Sequence, residues 1–179
     1  MADELIDIFD EENNPTGIKK MKSEAHREGL WHRTVHVWIY NSKKEILLQL
    51  RAKDKDVYPD CWDISSAGHV AAGEGPEESA IRELKEELGI DARKEDLKFL
   101  RIRKSVHQFR EIKNSEIEYI FLMKFDGAAE TLNLQKEELQ GVKFFQIDDL
   151  KEELQKNSEK FVPHGKYFDE IMERIKELS

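Results

Sequence analysis

The chain has 179 residues, of which 37% are charged, and its formal net charge at pH 7 is −9. This acidic balance disfavours a nucleic-acid-binding surface, which would need a basic patch, and no apolar run approaches the length of a membrane span. A single cysteine, Cys61, excludes an internal disulfide. The acidic start of the chain lacks the basic and apolar regions of a signal peptide, so we expect a cytoplasmic protein that does not bind membranes.

The chain is interpreted as one domain, residues 1–179, with its core at about residues 30–155. Its first part predicts a strand, a turn and a helix, at residues 5–9, 13–17 and 18–30 respectively. Two segments with alternating apolar residues follow, separated by a polar turn at residues 41–44, and they predict a hairpin. These two strands are expected at residues 34–40 and 46–50.

An amphipathic helix is predicted in the middle of the chain, after Gly75 and Pro76 and before Gly89. Its apolar side consists of Ala80, Ile81, Leu84 and Leu88. Later strands are expected at residues 97–104, 117–125 and 141–146, and later helices at 148–155 and 167–178. Strands that enclose a helix, with another helix at the end, predict an α/β fold in which a mixed sheet is covered on both faces.

Three carboxylates of the central helix, Glu83, Glu86 and Glu87, stand at positions i, i+3 and i+4 and therefore meet on one patch. Like charges at this spacing repel each other, whereas a divalent cation between them reverses the sign of the interaction. Carboxylate oxygens suit Mg²⁺ or Mn²⁺. The alternative is that the glutamates form an ordinary solvated helix face.

Spacing across residues 68–90 favours the metal site. The segment fits the pattern Gly-x5-Glu-x7-Arg-Glu-Leu-x-Glu-Glu-x-Gly-Ile without a departure, and the chain resembles a Nudix hydrolase in this motif. The resemblance implies an α/β/α sandwich and cleavage of a diphosphate joined to another group, X. It also implies that Glu83, Glu86 and Glu87 bind Mg²⁺, that Glu74 supports the loop, and that Arg82 orients a glutamate.

The general base is not determined by this motif. Its candidates are Glu87, Glu118, Glu137 and Glu138. A cationic group that includes Arg51 and Lys55 follows the strand at residues 46–50 and could bind the diphosphate, or it could be a solvated turn. Trp62 is a candidate wall of the substrate site, and Gly68 lets the backbone approach a ligand.

Within the Nudix superfamily the chain looks most like the isopentenyl-diphosphate isomerase branch. The matching segments include Ala25-His26, Trp31-His32, Gly68-His69 and Glu116-Ile117-Glu118. This resemblance implies a second divalent metal, whose ligands would be His26, His32, His69, Glu116 and Glu118. Glu116 and Glu118 are two residues apart on a predicted strand and would point to the same face.

Ala67 departs from the isomerase pattern, because those enzymes have a catalytic cysteine immediately before the Gly-His pair. An alanine cannot transfer a proton, so we expect hydrolysis of a small nucleoside diphosphate-type substrate. Two alternatives stay open, an isomerase with another proton donor and a sensor that binds a diphosphate without cleaving it. A homodimer is also left open.

Overall fold

The computed structural model of the protein describes residues 3–55, 57–109 and 112–178, of which Phe109 and Ile112 are described by their backbone alone. Its strands are β1 (Leu5–Phe9), β2 (Pro15–Met21), β3 (Trp31–Tyr40), β4 (Ile46–Arg51), β5 (Trp62–Asp63), β6 (Ser66–His69), β7 (Leu97–Phe109), β8 (Ile112–Lys124) and β9 (Leu139–Phe145). Its α-helices are α1 (Lys22–Glu28), α2 (Pro76–Leu88), α3 (Ile147–Lys156) and α4 (Tyr167–Lys176). None of the helices within these described ranges has the length and hydropathy needed to span a bilayer.

Strand β3 organises the sheet. Along its whole length it pairs in parallel with β8, from Trp31 opposite Ser115 to Tyr40 opposite Lys124. On its other side it pairs antiparallel with β1, β6 and β4. The predicted β3–β4 hairpin is confirmed, and β4 also pairs with β5 and β9. The sheet is therefore mixed, as expected.

Alternation along β3 sends side chains to two separate cores. Val35, Val37 and Ile39 pack on one side with Leu84 and Leu88 of α2. Trp38 packs on the other side, with buried residues of α3 and α4. The predicted α/β/α sandwich is thus confirmed, and the two faces of the sheet lie in different surroundings.

The helix predicted at residues 18–30 is wrong in its first part. Residues up to Met21 belong to β2, which pairs antiparallel with β1, and α1 begins at Lys22. The predicted turn is also displaced, because Asn14 donates its backbone N–H to the Asp10 carboxylate at 2.8 Å and closes the turn before Pro15. The exposed edge of β1 offers backbone hydrogen bonds to this segment, and that pairing overrides its local helical pattern.

Candidate active site

The central helix begins and ends where the glycines and proline predicted. Pro76 occupies its first turn, and Gly89 adopts a left-handed conformation with φ 70° at its end. Leu84 and Leu88 face the core. The side chains of Glu83 and Glu86 lie outside this apolar side of the helix and are 12% and 50% exposed respectively. Glu87, the third carboxylate of the motif, is buried and only 5% exposed.

Arg82 joins the loop to the glutamates. Its Nη1 donates to Glu83 at 2.8 Å and to Glu86 at 3.3 Å, and its Nε donates to Glu74 at 3.2 Å. The remaining nitrogen, Nη2, donates to the carbonyl oxygen of His69 at 3.0 Å. Because these bonds come from one planar guanidinium, the directions of Glu83 and Glu86 are coupled to the backbone of β6.

The two inner carboxylates lie in surroundings that disfavour their charge. Burial raises the pKa of Glu87 to about 8, with a smaller contribution from Glu83. Burial also raises the pKa of Glu83 to about 7, although Arg82 acts in the opposite direction. Glu87 accepts hydrogen bonds from Ser66 Oγ at 2.6 Å and from the Ala67 N–H at 3.3 Å. A divalent cation fits this donor set, because the hydrogen-bond partners of Glu87 are neutral and Arg82 offsets the burial of Glu83 only in part, so a cation would compensate the remaining charge.

Gly68 is required by the position of Glu83. A Cβ atom at residue 68 would lie 2.1 Å from the Glu83 carboxyl carbon, far inside van der Waals contact. The glycine therefore lets the glutamate lie directly against the β6 backbone.

Three histidines from three elements meet beside this strand. His26 of α1, His32 of β3 and His69 of β6 have ring centroids 5.1 to 5.3 Å apart. Their ligand atoms all lie within 4.8 Å of one another, and the Nε2 atoms of His26 and His69 are 3.1 Å apart. The structure thus brings together the three histidines that the sequence proposed for a second metal.

The hydrogen bonds of His32 suit a metal ligand. Its Nδ1 donates to the Leu30 carbonyl oxygen at 2.8 Å, which leaves the lone pair on Nε2. That Nε2 atom is buried and has no hydrogen-bond partner within the described part of the chain. Burial lowers the pKa of His26 to about 4 and also lowers the pKa values of His32 and His69. Neutral imidazoles with an oriented lone pair are what a divalent metal binds.

Glu116 and Glu118 lie on the same face of β8, opposite His32 and Thr34 of β3. The Glu116 carboxylate is 3.8 Å from His32 Nε2, and burial raises the pKa of Glu116 to about 8 with a further contribution from Glu118. Glu118 is instead held by Arg103, whose Nε lies 2.7 Å from it, and by the Ser105 hydroxyl. Glu116 is therefore placed as a direct neighbour of the three histidines, and Glu118 lies beside a cation.

The proposed phosphate-binding side chains are engaged within the protein. Arg51 donates to Asp63 at 3.0 Å and to the Val57 carbonyl oxygen at 2.7 Å, so it holds the loop before β5. Lys55 forms an ion pair with Glu138. Trp62 packs edge to face against Phe145, with 5.1 Å between ring centroids. Their role in binding substrate stays a prediction.

Around Ala67 the structure places polar side chains that the sequence reasoning missed. Ala67 pairs with His36 across β3 and β6, and His164 and Tyr167 approach His36 from the C-terminal region. A histidine two residues before Trp38, within the otherwise apolar stretch at residues 35–39, was the available signal. Cys61 lies in the loop before β5, where its thiol donates to the Glu159 carbonyl oxygen at 3.7 Å.

Comparison with known proteins agrees with this geometry. Nudix hydrolase 3 of Arabidopsis thaliana is 38% identical to this chain over 185 aligned residues. The alignment covers 97% of this chain and 24% of that protein, so the chain spans about a quarter of the length of this relative. A Nudix hydrolase of Clostridium acetobutylicum is 37% identical over 84% of this chain and 73% of its own length. The isopentenyl-diphosphate Delta-isomerase of Serratia proteamaculans is 30% identical over 89% of this chain and 86% of its own length.

Solved structures share the fold. A protein of Deinococcus radiodurans superposes with a TM-score of 0.69 and 21% identity, over 96% of this chain and 99% of that one. A bifunctional NMN adenylyltransferase/ADP ribose pyrophosphatase of Francisella tularensis, complexed with AMP and a Mn ion, superposes with a TM-score of 0.59 and 19% identity, over 80% of this chain and 42% of that one. The model of the NUDIX domain matches residues 30–165, and the chain belongs to the Nudix hydrolase family.

Proposed function

We propose that the protein is a Mg²⁺-dependent hydrolase, able to use Mn²⁺, that cleaves the diphosphate bond of a small nucleoside diphosphate-type substrate. The observation that carries this proposal is the group of motif carboxylates on α2. Glu83 and Glu87 are buried with raised pKa values, and Arg82 holds Glu83 and Glu86 in one orientation. The Mn ion in the Francisella tularensis structure supports the choice of a divalent metal.

The roles of the residues follow from these contacts. Glu83, Glu86 and Glu87 would hold the metal, which supplies charge neutralisation of the diphosphate and activation of water when it is bound. Arg82 positions Glu83 and Glu86 and ties them to the β6 backbone. Ser66 and the Ala67 N–H orient the Glu87 carboxylate.

Burial and contacts reduce the number of candidates for the general base. Glu137 is exposed on the surface, and Glu138 is paired with Lys55. Glu87 lies beside β6 and Glu118 lies beside β3, on opposite faces of the sheet. We propose Glu87 or Glu118 as the group that takes the proton from the attacking water.

The test is cleavage of nucleoside diphosphates, sugar nucleotides and isopentenyl diphosphate, measured with Mg²⁺, with Mn²⁺ and with a chelator. Cleavage of the sugar nucleotides is followed as formation of the nucleoside monophosphate, and cleavage of the other compounds as phosphate release. Glu86→Gln and Glu87→Gln should each reduce kcat/KM by about 100-fold or more. Glu77→Gln is the matched control, because Glu77 is an exposed residue of the same helix whose partner is Lys94. Metal-independent release, or equal loss in the Glu77 variant, would contradict the proposal.

A second candidate is isomerisation of isopentenyl diphosphate. It is favoured by the three histidines beside Glu116, the ligand set that the isomerase branch implies. It is disfavoured by Ala67, which has no proton to transfer. Formation of the allylic isomer without phosphate release would establish this activity in place of hydrolysis.

A further inference from the structure

Strand β7 forms an edge of the sheet. It spans 13 residues and pairs antiparallel with β8, and no other strand of the described ranges pairs with it. Its register is regular from Arg101 to Phe109, and it contains no proline. A long, regular edge carries a row of unpaired backbone N–H and C=O groups, which natural proteins usually shorten, interrupt or cover. The backbone of β7 is therefore a surface to which an extended chain can add a further strand.

One face of β7 is apolar and exposed. Its side chains Phe99, Ile102 and Val106 are 51%, 43% and 55% exposed respectively. The register aligns them, in this order, with Phe121, Tyr119 and Ser115 of β8. Because these partners alternate along β8, all three side chains point to one face of the sheet. The described part of the chain has five exposed large apolar side chains, and three of them lie in this row, which is a concentration typical of an interaction site.

The apolar row continues into a cavity of about 350 Å³ beside Phe99. Tyr119 and Phe121 line this cavity together with Phe99, whose ring centroid lies 5.7 Å from that of Phe121. The first turn of α2 closes the other side, where Glu77 is paired with Lys94. An apolar side chain of a partner therefore has room to be buried at this end of the row.

The opposite face of β7 is basic and carries Lys98, Arg101 and Arg103. The register aligns them, in this order, with Leu122, Ile120 and Glu118 of β8. Together with Lys104 they give the strand four lysine or arginine side chains and no carboxylate, in a chain whose net charge is −9. Arg101 and Arg103 form ion pairs within the protein, whereas Lys98 and Lys104 form no salt bridge with any residue that the structure describes. The edge of β7 thus attracts carboxylates in an otherwise acidic molecule.

An extended chain that pairs with β7 presents its side chains alternately to these two faces. Apolar side chains pack with the exposed row, and acidic side chains on the other face lie beside the cations. A second copy of the protein fits less well, because pairing β7 with itself brings basic side chains together. We propose that β7 is a docking edge for an extended segment of another protein in which apolar and acidic residues alternate, and that this segment adds a strand to the sheet.

The experiment measures binding of two labelled synthetic peptides to the whole chain by fluorescence anisotropy. One peptide alternates valine with glutamate over the length of residues 99–106, and the other alternates valine with lysine. The net charge of the protein favours the lysine peptide, so tighter binding of the glutamate peptide reports the local charge of β7. We expect the glutamate peptide to bind about 10-fold or more tightly than the lysine peptide. Equal affinities, or no saturable binding of the glutamate peptide below about 1 mM, would overturn the inference.

Variants of exposed side chains locate the site. Ile102→Glu should weaken binding of the glutamate peptide by about 10-fold or more, because it places a carboxylate in the apolar row. Val106→Glu is a second variant of the same row and should act in the same direction. Ile18→Glu is the matched control, because Ile18 is 52% exposed on β2, and its affinity should equal that of the wild type. Equal affinities of the Ile102 and Ile18 variants, with unchanged melting temperatures, would overturn the inference.

Amide hydrogen exchange shows whether the peptide pairs with the strand. The bound glutamate peptide should slow exchange in β7 and leave β2 unchanged, whereas protection of β2 alone would contradict docking at β7. Sedimentation of the protein without peptide tests the other occupant. Self-association that Ile102→Glu abolishes would assign this edge to a second copy and overturn the proposed partner. None of these measurements depends on the proposed hydrolysis, because the apolar row contains no residue of the candidate active site.

Discussion

Replacing Glu87 with glutamine should make the metal-free protein more stable at neutral pH, although it should abolish most of the activity. Glu87 is 5% exposed, and burial raises its pKa to about 8 from an ordinary value of 4.5. At pH 7 the side chain is thus protonated in the folded state and ionised in the unfolded state. Glutamine keeps the shape and can still accept from Ser66, but it has no proton to take up on folding.

The sign and size of the effect follow from this linkage. Because the folded state binds the extra proton, the wild-type free energy of unfolding falls as pH rises from about 4.5 to about 8. Between pH 4.5 and pH 7 the free energy of unfolding of the wild type falls by about 1.4 kcal/mol for each pH unit, which gives a total loss of about 3 kcal/mol. Glu87→Gln should remove this loss, so its advantage over the wild type should be about 3 kcal/mol at pH 7 and nearly absent at pH 4.5.

The assay is denaturant unfolding of wild type, Glu87→Gln and Glu77→Gln in the presence of a chelator, at several pH values between 4.5 and 8. Glu77 is 54% exposed, so its variant should track the wild type at every pH. Adding Mg²⁺ should then stabilise the wild type more than Glu87→Gln. If Glu87→Gln were no more stable than the wild type at pH 7, Glu87 would not be the buried acid described above.

Three further predictions concern other parts of the site. Gly68→Ala should displace the Glu83 side chain, because the carboxyl group lies where the new Cβ atom would stand. The protein should stay folded, and its kcat/KM with Mg²⁺ should fall by about 100-fold, so unchanged kinetics would contradict this prediction. His69→Gln should lower the affinity for Mn²⁺ at a second site by about 10-fold or more, as measured by titration of bound metal, and leave the melting temperature of the metal-free protein nearly unchanged. Asp63→Asn should cost about 2–4 kcal/mol of stability at pH 7, because Arg51 then lacks a carboxylate. The pKa of Asp63 is held well below its usual value, so this difference should shrink as pH falls through the acid range, and a constant difference would refute it.

Local rules accounted for the elements that have strong signals of their own. Pro76 and Gly89 mark the first turn and the end of α2, and the polar turn after Tyr40 produces the β3–β4 hairpin. Where a segment takes its structure from a distant partner, the same rules failed. Residues 18–21 form a strand because β1 supplies their hydrogen bonds, and β6 exists because β3 pairs with it. Such pairing depends on residues far away in sequence, which no local pattern reports.

The sequence by itself determined the family, through the spacing of its motif, and it identified the side chains that carry charge and donor atoms. The same spacing places Glu83, Glu86 and Glu87 on one face of a helix, whatever surrounds that helix. Only the tertiary structure decided which of these groups are buried. It buried Glu87, which raises the pKa of that carboxyl group to about 8 in the metal-free protein, and it brought His26 Nε2 to within 3.1 Å of His69 Nε2. It also placed His36 opposite Ala67 and brought the His164 ring next to that of His36. Burial and long-range pairing set these properties, since pKa values and ring contacts depend on what folding brings close, and not on neighbours along the chain.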